Sequence, residues 1–444
     1  MPGRRWPALT LRRRLSRELL DLDQQTVRIA GHLEEYRALG GVAFALVRDG
    51  SGTSQVTLKK GACPPEWFEL FAALPRESVV AVEGTVARSE KANRGVELRP
   101  TKVDVLSRAE SPLPLGIVDK VPAELDTRFN HRVIDLRKPA VRGVFVVRAA
   151  LLAGLRRALG DLGFLEVETP KILRQGAEGG ATLFPIDYFS TTAYLAQSPQ
   201  LYKQMLMSAG LERIFEIAPA FRAEPSDTVR HLTEFTSLDA EMAYLDGAET
   251  LRELLESVVV DALRHAQSQL SAVEPQLAER LTPPARPFPR VSFAECERLL
   301  GRAGAGRDFG TEEEKRIGEI LRDQRGAAYY FITDYPTSVK AQTFYAQRSE
   351  ADPSLTGYFD LDLNGVEIAS GGPREHRLDR LDENLRSAGL DPEAFGSYRE
   401  AFRFGMPPHG GFGFGVDRFV QQIVGLANIR EARLFPRDRY RLEP

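Results

Sequence analysis

The stretch HGGFGFGVDRF, residues 409–419, sets glycines at 410, 411, 413 and 415 ahead of a charged pair, Asp417 and Arg418, and an apolar run. A dinucleotide-binding fold would need G-x-G-x-x-G after a strand at the head of a βαβ unit, with an acidic residue about 20 positions further on. Here the spacing is G-x-G-x-G and too little chain follows for that fold. A Walker loop is also excluded, because no GK[ST] follows. What survives is a glycine-rich strand that lets backbone approach a flat ligand and runs into a helix, with Arg418 aimed at an anion. A purely structural glycine strand stays open at this point.

The rest of the chain narrows the choice. Its 444 residues exceed one ordinary core and suggest two or three domains. At 43% hydrophobic and 27% charged residues, neither disorder nor a membrane protein is indicated. No apolar run approaches the roughly 18 residues of a spanning helix. The net charge of −3 gives no bulk attraction to nucleic acid, so any such binding must be local. Six arginines in MPGRRWPALTLRRRLSREL lack the apolar segment and cleavage site of an export signal, and residues 1–26 read as a solvated basic arm able to touch nucleic acid. Cys63 and Cys296 are the two cysteines, so there is no disulfide framework and no CxxC metal site, and a cytoplasmic location is expected.

Residues 27–110 carry five alternating segments (VRIAGHL, GVAFALVRD, SQVTL, VVAVEGTVA, VELRPTKVDVL) punctuated by Gly, Asp-Gly and Pro. Five short strands suit a small closed barrel, of which the OB-fold is the commonest that binds oligonucleotides; a merely structural barrel or sandwich piece is the alternative. Residues 111–140 read as a Pro-punctuated hinge. From Gly143 the apolar period becomes helical, and residues 141–444 mix long, alternately polar strands with helices at 247–270, 375–388 and 416–425. The expected class is α+β: an all-β N-terminal barrel, then an antiparallel sheet flanked by helices.

Chemistry concentrates in four places. In residues 215–244, FEIAPAFRAEPSDTVRHLTEFTSLDAEMAY, charged Arg222, Asp239 and Glu241 interrupt otherwise apolar strands, where charges are costly unless paired or bound to ligand. QSPQLYKQMLM (197–207) supplies Lys203, and NGVEIASGGPREHR (364–377) supplies Arg374, cations suited to a carboxylate. Glu367 and Ser370 are oxygen donors on one strand, suited to a Mg²⁺ that bridges phosphates. The glycine stretch is the fourth. Each alone reads as ordinary surface; the four together make the case.

The order ETP (168–170), FRAE…RH…EF (221–235) and GGFGFGVDR (410–418) resembles motifs 1, 2 and 3 of class II aminoacyl-tRNA synthetases. QSPQLYK, TEFTSLDAEMA, SGGPREHR and RFNHRVIDLRKP (128–139) are similar to aspartyl-tRNA synthetases of the archaeal or eukaryotic type, from about Val27 to the C-terminus. No room exists between motifs 2 and 3 for the large extra domain of the bacterial type. The sibling asparaginyl enzymes typically lack the equivalent of Lys203 and carry Glu where Asp239 stands. An asparagine synthetase of the same ancestry would lack the barrel.

The resemblance implies that L-aspartate is held by Glu178, Ser198, Gln200, Lys203, Arg222, Asp239, Ser370 and Arg374. It implies that ATP is held by Arg222, Ala223, Glu224, Arg230, His231, Leu232, Phe235, Glu367, Gly415, Val416, Asp417 and Arg418. Arg222, Glu367 and Arg418 would be catalytic, and Glu367 and Ser370 would ligate Mg²⁺. In the barrel, His32, Phe44, Gln55 and Glu97 match anticodon-binding positions, although Phe44 reads equally as barrel core. His rather than Trp at position 32 leans toward an enzyme that charges both tRNA(Asp) and tRNA(Asn), while the loop SEKANRG (89–95) lacks the proline that such enzymes tend to show. The open readings are this relaxed ligase, a strictly discriminating one, an asparaginyl enzyme and a catalytically silent RNA-binding paralogue. Pro170, ending motif 1, implies a homodimer.

Overall fold

The computed structural model describes residues 13–444 apart from 93, 118–122, 175–182, 225–227, 303 and 305. The chain forms two compact units, divided between Gly116 and Ile117.

The first unit is a closed barrel of β1 (Thr26–Leu39), β2 (Val42–Asp49), β3 (Gly52–Lys59), β4 (Val79–Arg88) and β5 (Val96–Ser107), in the order β1-β2-β3-β5-β4. β3 and β5 pair parallel, and the other neighbours pair antiparallel. Alternation decides what fills it: Ile29, Leu33, Ala45, Val47, Val56, Val82 and Leu98 point inward, and Phe71 of the Glu66–Ala73 helix joins them. Gly31 and Gly84 let strands approach, since a Cβ at either would stand 2.2 Å from the carbonyl oxygen of Arg48 or Arg99. The sequence reading put the first 26 residues in a solvated arm. From Ser16 to Asp21 they instead form a 3-10 helix, which seats Leu19 in the barrel core and bonds Ser16 to Asp49 and Ser54. One buried leucine outweighs the surrounding arginines.

The second unit is built on an eight-stranded sheet, counted among the described residues. Its strands are β6 (Leu165–Glu166), β10 (Arg213–Phe221), β11 (Glu234–Ala243), β12 (Arg290–Ser292), β13 (Tyr329–Thr333), β14 (Phe359–Leu363), β15 (Val366–Arg374) and β16 (His409–Gly415), in the order β12-β13-β14-β15-β16-β11-β10-β6. The interior pairs are antiparallel, and only the two edge strands add parallel. A small sheet of β7 (Ile172–Leu173), β8 (Pro185–Tyr188) and β9 (Thr191–Leu195) lies beyond motif 1. Two short helices, Leu125–Asn130 and Arg132–Asp135, occupy part of the stretch read as a hinge, with Phe129, Arg132 and Asp135 buried.

One face of the large sheet is apolar. Phe215, Leu238, Ala240, Ala369, Phe412 and Phe414 pack there against the helices Pro139–Asp161 and Ala248–Ser271. The first helix begins with Pro139 in its first turn, where the missing N–H goes unused, and buries Val144, Val147, Leu151, Leu155 and Leu159 at three- and four-residue spacing. Gly163, at φ +80°, follows its end. The other sheet face carries the polar partners of those same strands.

The two long helices touch so closely that a Cβ at Gly154 would stand 2.5 Å from the Ala262 carbonyl oxygen, whereas one at Gly160 meets nothing within 4 Å. Alanine ordinarily stabilises a helix interior by up to about 1 kcal/mol over glycine. Gly160→Ala is therefore expected to hold or raise the melting temperature. Gly154→Ala is expected to lower stability by about 1–3 kcal/mol through overpacking. Thermal unfolding of the pair checks the sign reversal within one helix.

Candidate active site

On the polar sheet face, period-two alternation lines up Ser237, Asp239 and Glu241 on β11 with Gly415, Gly413 and Gly411 on β16, to which they are directly paired. Across β16, Gly413 pairs with Ser370 and His409 with Arg374 on β15. A cavity of about 340 Å³ opens over this surface. The glycines give it a flat floor, and the two central ones do so for different reasons. A Cβ at Gly411 would lie 2.0 Å from the Ala240 carbonyl oxygen, so that glycine is required by the sheet. A Cβ at Gly413 would meet only Asp239 Oδ1 at 3.5 Å, so that one leaves room above the sheet.

At the deep end lies a buried charge network. Glu241, fully buried, accepts from Arg374 Nε at 3.0 Å and stands 3.4 Å from Lys203 Nζ. Lys203 Nζ also donates to Asp239 Oδ1 at 3.0 Å, and Ser237 Oγ donates to the other Asp239 oxygen at 2.6 Å. Burial would raise the Glu241 pKa, but Arg374 and Lys203 outweigh it and hold the carboxyl below its ordinary value. Arg374 also donates from Nη2 to the Gly411 carbonyl at 3.0 Å, while its buried Nη1 has no hydrogen-bond partner among the described residues. The sequence reading expected Lys203 and Arg374 to flank a ligand carboxylate directly. In the structure the Glu241 carboxylate lies between them, leaving one edge of the Arg374 fork unused.

Beside it, His409 is buried; its Nδ1 lies 2.8 Å from the Pro407 carbonyl oxygen and its Nε2 3.3 Å from Gln204 Oε1, which also accepts from Tyr398. Burial pushes the imidazole down to about 4, so it is neutral next to Arg374 at pH 7.

At the open end, Arg222 leaves β10 and stacks over the Phe235 ring at 5.3 Å. Arg230 donates to Glu314 at 2.5 Å, and its Nε and Nη1 are otherwise unpartnered among the described residues. His231 contacts Thr228, and its pKa is lowered by burial and by Arg418, Arg230 and Arg222. Arg418, in the first turn of the Val416–Val424 helix, donates to the Glu367 carbonyl at 3.0 Å and lies 3.5 Å from its carboxylate. Burial and the neighbouring Asp360 push Glu367 up against the pull of Arg418 and Lys340. Ser370 Oγ donates to Asp360 Oδ1 at 2.5 Å.

The structure thus gathers Ser198, Gln200, Arg222, Glu224, Arg230, His231, Leu232, Phe235, Asp239, Glu367, Ser370, Gly415, Asp417 and Arg418 around one cavity, with Lys203 and Arg374 buried in the network at its deep end. Ala223 does not line it. Glu178 lies outside the described residues. Val416 does not line the cavity, and its side chain lies in the apolar core. Asp417 is committed to Arg148 Nη1 at 2.6 Å and the Thr236 amide at 2.6 Å, tying the Arg418 helix to β11. Sequence reasoning missed Arg148, Glu314, Asp360 and Lys340. Of these, Lys340 and Asp360 had a local signal, the charges in ITDYPTSVK and YFDLDL, between segments already read as strands. Among the described residues, no group of three or more His, Cys, Asp or Glu side chains could hold a metal by itself, and no helix is long and apolar enough to cross a membrane.

In the barrel, Phe44 points outward rather than into the core, beside Thr57 on β3. Gln55 Nε2 donates to Thr57 Oγ1 at 3.3 Å, and Thr57 Oγ1 donates to Glu97 at 2.8 Å, so three of the four expected positions share one outer patch. His32 stands on the outer face of β1, paired with Arg48 and Val79.

A flat glycine floor thus runs from a buried network of cations and carboxylates to an open end rimmed by arginines. Residues 124–439 match the family model described as tRNA synthetases class II (D, K and N), and residues 27–106 match the OB-fold nucleic acid binding domain. The chain belongs to the class II tRNA synthetases of this group, whose partners are tRNA, an amino acid and ATP. Among its relatives, the chain is 45% identical to the Thermococcus kodakarensis aspartate–tRNA(Asp) ligase, over 96% of this chain and 97% of the relative. It is 44% identical to the Archaeoglobus fulgidus aspartate–tRNA(Asp/Asn) ligase, over 96% and 98%. The solved aspartyl-tRNA synthetase of Entamoeba histolytica superposes with a TM-score of 0.84 at 29% identity, covering 100% of this chain and 96% of that one.

The two central glycines supply a test of the floor. Gly411→Ala is expected to destabilise the protein measurably in thermal unfolding. Gly413→Ala is expected to melt near the wild-type temperature yet lose ATP binding by calorimetry about tenfold or more, since a methyl lifts a flat ligand off its contact surface.

Proposed function

We propose that the chain is an aspartate–tRNA ligase, which forms aspartyl-adenylate from L-aspartate and ATP and transfers the aspartyl group to tRNA(Asp) and also to tRNA(Asn). The observation that carries the choice of amino acid is the buried cations Lys203 and Arg374, with Arg374 Nη1 left without a hydrogen-bond partner among the described residues. A β-carboxylate accepts from that free edge, whereas the amide of asparagine would turn an N–H donor toward donors or leave the cation half-paired, at a cost of several kcal/mol. Asp239 receives the substrate ammonium, and Ser198, Gln200 and Glu178 close around it.

ATP binds bent. Adenine lies on Phe235, Arg222 holds the α-phosphate, and Arg230, His231 and Arg418 take the outer phosphates. Ala223, Glu224, Leu232, Gly415 and the Val416 backbone complete the cleft, while Asp417 keeps Arg418 in place. Glu367 and Ser370 would hold Mg²⁺: a carboxylate and a hydroxyl are hard oxygen donors, and too few to bind the ion without phosphate, as suits Mg²⁺. When bound, that ion neutralises charge on the phosphates. No protein nucleophile is needed, because orientation and charge stabilisation carry the reaction.

The relaxed tRNA choice rests on His32, a small outward imidazole able to donate or accept, in place of a bulky indole. An anticodon-binding domain at 27–110 and a catalytic domain at 141–444 divide the work. Cytoplasmic location and a homodimer built on motif 1 belong to the same reading.

Pyrophosphate exchange with aspartate and with asparagine tests the activity. The wild type is expected to respond to aspartate alone, and Lys203→Ala is expected to raise the Michaelis constant for aspartate at least about tenfold while that for ATP changes little. Arg222→Ala or Arg418→Ala is expected to abolish adenylate formation in a folded protein. For the tRNA choice, transcripts with GUC and GUU anticodons should be charged with efficiencies within about tenfold of each other; discrimination of several hundredfold would overturn the relaxed reading.

A further inference from the structure

Lys340 belongs to none of the motifs above, yet it lines the same cavity as Glu367 and Ser370. Its side chain is 12% exposed, and Nζ lies 4.0 Å from the centre of the Tyr335 ring and 5.5 Å from that of Tyr358. Nζ donates to Asp308 Oδ2 at 3.2 Å and to Asp360 Oδ2 at 3.3 Å. An ammonium has three donors, and these bonds use two.

Asp360 is the centre of this corner. Its Oδ1 accepts from Ser370 Oγ at 2.5 Å, and its Oδ2 accepts from Tyr335 at 2.5 Å as well as from Lys340. Asp362 and Glu367 stand on the same two paired strands, and both are pushed up, first by burial and then by neighbouring carboxylates. The corner therefore crowds carboxyl groups together, with Lys340 and Arg418 as the neighbouring cations. Burial works against the Lys340 charge, but Asp360 and Asp308 more than offset it and keep the ammonium protonated. A lysine suits such a place because its compact charge swings on a flexible stem, where an arginine fork would be fixed.

We propose that Lys340 is a phosphate-contacting residue of the activation step, held by Asp360 in the unliganded protein and released to the pyrophosphate leaving group when a divalent cation takes that carboxylate. This rests on the ligase reading above. In that step an oxygen of the aspartate α-carboxylate bonds to the α-phosphorus of ATP. The bond from that phosphorus to the oxygen bridging the β-phosphate breaks, and its electron pair leaves on pyrophosphate. No proton is gained or lost by the chain. The charge that appears on the leaving group is met by a cation already in the cavity, and Asp308 keeps Lys340 from drifting away when Asp360 lets go.

The test separates a phosphate contact from a mere counter-ion. With the internal competitor gone, Lys340→Met without nucleotide is expected to bind Mn²⁺ about threefold or more tightly by electron paramagnetic resonance. In aspartate-dependent exchange, its Michaelis constant for pyrophosphate should rise about tenfold or more while that for aspartate stays within about twofold. Unchanged or weaker Mn²⁺ binding, or an unchanged constant for pyrophosphate, overturns the proposal. Should the variant fold poorly, the wild type serves: acetylation of Lys340, followed by mass spectrometry, should speed up on adding Mg²⁺ and slow down on adding Mg²⁺ with pyrophosphate. Equal rates in all three conditions overturn it. Wild-type protein that shows no aspartate-dependent exchange would instead refute the ligase reading, and the Mn²⁺ measurement would still report on Lys340.

Discussion

Glu241 is the group on which the site depends. A carboxylate with no solvent contact, on a central strand, is tolerable only because Arg374 and Lys203 both reach it. Removing one partner of a buried pair leaves a bare charge and costs roughly 3–5 kcal/mol. The network therefore holds β11, β15 and the Gln200–Ser208 helix in one register. Lys203, Arg374, Asp239 and Glu241 sum to zero, so the end of the cavity is neutral overall but polarised, with a free guanidinium edge at one point and a carboxylate at another. A ligand that turns one carboxylate and one ammonium toward this end, with its remaining groups toward the open end, matches that polarity without adding net charge to the buried place.

The glycines extend the same logic to the backbone. Arg374 bonds the Gly411 carbonyl, and the sheet can close beside Ala240 and Glu241 only because nothing projects from Gly411. Fold stability and ligand shape are thus set by neighbouring members of one repeat. Gly411 serves the packing of strands, and Gly413 serves the space above them. The question raised by HGGFGFGVDRF has both answers at once, a structural glycine strand and a ligand floor, divided by the two-residue period of the strand.

What was legible in the sequence follows from this physics. Arg222, Asp239, Glu241 and Arg374 were visible because charges break apolar alternation, and the barrel was visible because its strands are short, alternating and well punctuated. The helices Phe293–Leu299 and Thr311–Arg325 escaped notice, the second because nine of its fifteen side chains are charged and its apolar stripe is thin. Arg148 was hidden in an otherwise regular helical stripe, and its partner Asp417, distant in sequence, drew attention as a ligand contact, while its role as a tether to Arg148 went unseen. Long-range pairing of this kind leaves no local pattern. Residues 111–140 misled in the opposite way: proline punctuation suggested a connector, yet Arg132 is buried and bonds backbone carbonyls of residues 431, 433 and 434.

A common pattern links the cations at the open end. Arg230 is held by Glu314, Arg418 by Glu367 and Lys340 by Asp360, so three cations that line the cavity each rest on a carboxylate from another element. Bare, they would repel one another inside a cavity of low dielectric, and the floor strands would bear that repulsion. Resting on carboxylates, they are kept charged and roughly placed. The binding of a polyphosphate is then an exchange of one anion for another, and its free energy is a difference between two sets of ion pairs. On the proposed reaction, such an exchange permits specificity without extreme affinity: pyrophosphate leaves when the carboxylates take their cations back, and the resting ion pairs of the empty site assist turnover.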